Sequence, residues 1–134
     1  MTAMTAERTT LHPPVADARR TARTFLGSLR EPIIDQDGAD GVLLVVSELV
    51  TNALRHGGGA YTLRLTAHPG CIEVTVEDPS PLMPHLRAPD FVGGTGGFGW
   101  HMVNDLALAT VVTPTSEGGK TVRAFLPLRR ALDT

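Results

Sequence analysis

The sequence predicts an α+β fold, a two-layer sandwich with helices on one face of a mostly antiparallel sheet. Three observations predict it. Apolar residues recur at steps of three and four over residues 15–29, which is helical spacing. They alternate with polar residues over residues 60–67 and again over 72–77, which is the period of a half-buried strand. The resulting order is helix, helix, strand, strand, long loop, helix, strand, strand, an order that suits helices segregated to one side of a sheet.

Each element has a local reason. Residues 1–12 read as a flexible tail or an edge strand. Pro13 and Pro14 punctuate the start of the first helix. Its apolar stripe is Val15, Ala18, Ala22, Phe25, Leu26 and Leu29, with arginines filling the gaps, and it suits either the core or a dimer contact. Residues 31–40 contain Pro32, Gly38 and four acidic residues and read as a loop, with Asp37 or Asp40 as the cap of the next helix. The run from Val42 to Arg55 is apolar around much of its circumference, and its length favours a helix over a strand. Gly57 to Gly59 stop it. Tyr61, Leu63, Leu65 and Ala67 then alternate with polar residues. Pro69-Gly70 turns the chain, and Ile72, Val74 and Val76 alternate again, which makes a hairpin with one buried face. Residues 78–97 carry four prolines and little periodicity, and a connection that long is usually a functional lid. A short helix over residues 98–106 follows. Two strands, 108–113 and 121–126, close the fold around a Gly118-Gly119 turn. Residues 13–128 thus read as one domain, and 129–134 as a tail.

Composition excludes several classes. The 134 residues hold 12 basic and 14 acidic side chains, a net charge of -2 without the basic footprint of nucleic-acid or anionic-membrane binding. One cysteine, Cys71, rules out an intramolecular disulfide and a multi-cysteine zinc site. No apolar run approaches the roughly 20 residues of a bilayer span. The polar, threonine-rich start has no apolar signal core, so a cytoplasmic location is expected.

Four features could carry chemistry. Glu48, Asn52 and His56 are four residues apart. Each such step turns about 40° around a helix, so the three share one polar stripe. A plain explanation is solubility plus a histidine favoured by the helix dipole. A chemical one is an amide oxygen for Mg²⁺ beside a carboxylate able to accept a proton. Asp78 ends an apolar strand. It suits a turn before proline, the commoner reason for an aspartate there, and can also accept a hydrogen bond from an exocyclic amine such as adenine offers. Ten of the 14 glycines fall in three clusters, and the largest, Gly93 to Gly99, opens a helix where backbone N–H groups bind anions. It is neither a Walker A loop nor a dinucleotide fingerprint. The fourth, Gly118-Gly119-Lys120-Thr121, is explained as a turn.

Together these features resemble one family. Ser47-Glu-Leu-Val-Thr-Asn-Ala-Leu-Arg-His56 resembles the N box of the GHKL ATPase superfamily, which includes gyrase, histidine kinases and MutL. Its spelling is most similar to the branch of anti-sigma-factor serine/threonine kinases. Val76-Glu-Asp-Pro-Ser-Pro81 looks like that branch's first glycine box, and Gly97-Phe-Gly-Trp-His-Met-Val103 like its second. The resemblance runs from about Pro13 to Leu128.

It implies the Bergerat, histidine-kinase-like ATPase sandwich and the cofactors ATP and Mg²⁺. Glu48 would be the general base. Asn52 would hold Mg²⁺, with His56 at the edge of the site. Asp78 would receive the adenine amino group, supported by Thr121, and Gly94, Gly96, Gly97, Phe98 and Gly99 would cradle the phosphates. The implied function is an anti-sigma factor that phosphorylates a serine or threonine of an anti-anti-sigma antagonist. Its partners would be that antagonist and a sigma factor, with no direct nucleic-acid contact. The sequence departs from the pattern at Ser80, at Trp100, and at Thr95 where the branch carries a basic residue; Arg87 and Lys120 are the nearest cations by sequence. A basic residue stabilises charge in phosphoryl transfer. The alternative is therefore a nucleotide-sensing, protein-binding module without kinase activity.

Overall fold

A computed structural model describes residues 4–11, 15–29, 35–56, 60–81 and 99–127 of the protein. Five strands, β1 (Met4–Leu11), β2 (Ala60–His68), β3 (Cys71–Asp78), β4 (Ala109–Pro114) and β5 (Lys120–Pro127), form one sheet in the order β1-β2-β3-β5-β4. Every neighbouring pair is antiparallel, so the sheet is wholly antiparallel rather than mostly so. Three helices, α1 (Val15–Ser28), α2 (Gln36–His56) and α3 (Gly99–Leu106), pack on it to give the expected α+β sandwich.

Strand alternation sorts the sheet's side chains into two faces. Leu63, Leu65, Ile72, Val74, Val76, Val122, Ala124 and Leu126 point inward and are almost fully buried. They meet Val42, Val45, Val46, Leu49, Val50 and Ala53 of α2, with Ala18, Ala22 and Phe25 of α1 and Val103 of α3 alongside. Burying each larger apolar side chain contributes about 1.5–3 kcal/mol, which is what holds the layers together. The apolar stripe of α1 is thus spent on the core of its own chain.

The β2–β3 hairpin turns at Pro69-Gly70 between the paired His68 and Cys71. Gly70 sits at φ 89°, where a Cβ would be strained. The other hairpin turns over five residues rather than over the Gly118-Gly119 pair alone. That turn spans Thr115 to Gly119, closed by Thr115 N–H donating to the Gly119 carbonyl at 3.0 Å and Gly119 N–H donating to Thr115 Oγ1 at 3.0 Å.

The start of α2 departs from expectation. The helix begins at Gln36, inside the stretch read as loop, and its cap is Asp35 rather than Asp37 or Asp40. Asp35 Oδ1 accepts the Gly38 N–H at 2.8 Å, and its carbonyl accepts the Ala39 N–H at 3.0 Å. An aspartate outside the first turn satisfies an otherwise orphan donor, and that outweighs the low helix propensity of Gly38 and Gly41.

Candidate functional site at the Asp78 end of the sheet

Connectivity sets where the candidate residues meet. The end of α2 is joined to the start of β2 by residues 57–59 alone. Thr62 near that start pairs with Glu77 near the end of β3, and Asp78 at the end of β3 pairs with Lys120 at the start of β5. The closing turns of α2, which carry Asn52 and His56, therefore arrive at the end of the sheet where Asp78 lies. Asp105 and Leu106, at the end of α3, line a cavity of about 360 Å³ with Asp37, Gly38 and Gly41 from the start of α2. The end of α3 thus lies by the start of α2, and its eight residues rise about 12 Å from there. That cavity lies at the opposite end of α2 from Asn52 and holds none of the sequence-predicted residues.

Glu48 and Asn52 are half-buried on the flank of the apolar face of α2, one turn apart. Burial pushes the Glu48 carboxyl above its ordinary range, with the charge of Arg55 opposing the shift. A desolvated carboxylate is a better proton acceptor than a solvated one, because its protonated form is favoured. Among the described residues no group of three or more His, Cys, Asp or Glu side chains could hold a metal by itself.

Asp78 is on the inner face and buried. Its Oδ1 accepts the Ser80 N–H at 2.9 Å and the Lys120 Nζ at 3.0 Å. The Asp78 and Lys120 side chains are only 3% and 7% exposed, so this is a dry ion pair. Lys120 also lies 3.4 Å from the Ser80 carbonyl. Gly119 makes the approach possible, since a Cβ there would meet the Asp78 carbonyl at 2.2 Å and the Pro79 Cα at 2.9 Å. It is a contact residue and not merely a turn residue.

Lys120, singled out in the sequence only as a nearby cation, is the residue that stands beside Asp78 on β5, and Thr121 takes the other side of the strand. Thr121 pairs with Glu77, so its side chain takes the face opposite to Asp78. The one-residue offset follows from strand parity, and the only signal for it is the alternation of Val122, Ala124 and Leu126 counted backward to Lys120. His56 ends α2, and its side chain lies outside the described residues, as do Gly94, Gly96, Gly97 and Phe98, together with Thr95 and Arg87. Gly99 is the first residue of α3.

The model of the histidine kinase-like ATPase domain matches residues 13–126. The chain belongs to that family. Membership in this ATPase family implies ATP binding.

Solved structures share the fold. The RsbU and RsbW domains of Rv1364c from Mycobacterium tuberculosis match at TM-score 0.70 and 17% identity, over 98% of this chain and 34% of that one. This ATPase domain thus spans about a third of that protein's length. The SiaB-SiaC complex from Pseudomonas aeruginosa matches at TM-score 0.68 and 12% identity, over 90% and 88% of the two chains. The histidine kinase domain of the blue-light activated kinase from Erythrobacter litoralis EL346 matches at 0.51 and 23%, over 90% and 68%. No curated protein matches the chain in sequence. No described helix is long and apolar enough to cross a membrane.

Proposed function

We propose that this ATPase-family chain is a regulatory protein of the anti-sigma type. It would transfer a phosphoryl group from Mg-ATP to a serine or threonine of an anti-anti-sigma antagonist, and bind a sigma factor in the cytoplasm. The observation that carries this reading is that the half-buried Glu48–Asn52 flank of α2 leads toward the end of the sheet where Asp78 is buried. The likeness to the RsbW-containing structure, and to one of a protein in complex with a second protein, supports it.

Roles follow from chemistry. Asp78 accepts from the exocyclic amine of adenine. Glu48, desolvated, takes the proton of the substrate hydroxyl. Asn52 offers a neutral amide oxygen, a donor type that suits a hard cation whose remaining ligands are phosphate oxygens and water. When bound, magnesium would offset phosphate charge during transfer. The start of α3 favours negative charge through its free N–H groups.

Labelled ATP incubated with the chain and a co-purified antagonist tests the reading. Transfer should fall at least ~100-fold in Glu48→Ala while ATP affinity is kept. A wild-type chain that binds ATP yet labels no antagonist overturns the kinase assignment. One observation favours that second reading, a nucleotide sensor without transfer. Lys120, one of the two nearby cations, is committed to Asp78 and so is not free for the phosphates.

A further inference from the structure

We propose that Lys120 is a base-reading residue, which with Asp78 forms a donor–acceptor pair that selects adenine over guanine nucleotides. The inference rests on the nucleotide-site reading above and adds a residue to it. Lys120 and Asp78 are directly opposite in the β3–β5 register and share the inner face. The ammonium has three N–H donors. Two face the Asp78 Oδ1 at 3.0 Å and the Ser80 carbonyl at 3.4 Å, which leaves one. The ionised carboxylate has room for about four hydrogen bonds. Its Oδ1 takes those from Ser80 and Lys120, and Oδ2 retains acceptor capacity.

A free acceptor therefore stands beside a free donor. Adenine presents the complement on one edge, an amine donor at position 6 next to the acceptor nitrogen N1. Guanine in the same placement sets its O6 acceptor against the carboxylate and its N1–H donor against the ammonium, two opposed contacts. The pair is nearly dry, and in such surroundings mismatched polar groups are costly, so discrimination is strong. Lys120 cannot exchange this role for one at the phosphates without leaving Asp78 buried and unpaired. Thr121, on the other face, takes no part.

Calorimetry on the wild-type chain compares ATP with 1-deaza-ATP, in which a C–H replaces N1, and with GTP. The expected result is binding weaker by about tenfold or more for both analogues. A Lys120→Met variant should bind ATP about tenfold more weakly and be indifferent to the loss of N1. The comparison among ligands needs no variant, so the test stands even if Lys120→Met fails to fold. If wild type binds 1-deaza-ATP as tightly as ATP, the role of Lys120 is overturned while the ATP site stands. A penalty for losing N1 that persists in Lys120→Met also overturns it, since another group then reads N1. A folded wild type that binds none of the three overturns both readings.

Discussion

Of the three acidic residues on β3, two that lie five positions apart, Glu73 and Asp78, are paired with basic side chains, and the two pairs sit in different surroundings. Asp78 faces inward, and its partner Lys120 is as dry as itself. Glu73 faces the open side of the sheet. His68 Nε2 lies 2.7 Å from its Oε1, Thr75 Oγ1 donates to its Oε2 at 2.7 Å, and Arg123 Nε stands 3.5 Å away. His68 and Arg123 are more than a third exposed, so water screens this cluster. A dry pair is weak evidence of stability, because desolvation offsets most of the attraction, but breaking one partner is severe. A wet pair costs little to make and little to lose. On the proposed reading, the contrast is between an inner pair kept for what it does at the end of the sheet and an outer one that decorates a surface.

Asp78→Ala tests this most directly. It should cost about 3–5 kcal/mol in urea unfolding by stranding a buried ammonium. The double change Asp78→Leu with Lys120→Met should recover most of that loss, yet should not recover ATP binding. If the double variant binds ATP normally, the inner pair is structural only.

Gly119→Ala comes next. Its new methyl group would press on the Asp78 carbonyl, so the ends of β3 and β5 must shift, at a cost of about 2 kcal/mol. An unfolding midpoint unchanged from wild type would show that the close approach is not required.

Glu73→Gln should cost less than about 1 kcal/mol, in keeping with a screened pair. Its pH dependence has a definite sign. Burial raises the Glu73 carboxyl, but hydrogen bonds from Thr75 and His68 and the charges of His68 and Arg123 outweigh it, so it titrates below the ordinary 4.5. A depressed folded value contributes stability above pH 4.5 that is lost as pH falls through the folded value. The wild-type advantage over Glu73→Gln should therefore be present at neutral pH and vanish in acid.

Glu48 gives the smallest effect and the opposite sign. Its raised value means that the ionised form costs stability in the folded state, and that cost disappears below both values. Glu48→Gln should melt slightly higher than wild type at pH 7, with the gain fading on acidification. A lower melting point at pH 7 would contradict a desolvated carboxylate.

Local pattern carried much of this molecule. The β2–β3 hairpin follows from alternation and Pro69-Gly70, and the buried stripe of α1 from its three- and four-residue steps. The acid and amide of α2 were legible because four-residue spacing needs no tertiary knowledge. The start of α2 was not, since Gly38 and Pro32 argued for a loop while one side-chain cap at Asp35 decided otherwise. Lys120 was hidden for another reason. Its partner is 42 residues away, and β5 inserts between β3 and β4, a pairing that no short-range signal announces. Once that pairing is known, parity alone exchanges Thr121 for Lys120.

That insertion also sets when the site exists. The β2–β3 hairpin closes over two residues, whereas the Asp78–Lys120 contact closes a loop of about forty, and loop entropy must be overcome before such a contact is rewarded. The hairpin needs no distant segment for its own pairing. The end of the sheet that would face the base does need one, because half of it arrives with β5. Any opening that separates β3 from β5 would therefore erase the proposed nucleotide site even with β2 and β3 still paired, and a nucleotide bound there would act as a clasp across a long-range seam of the fold.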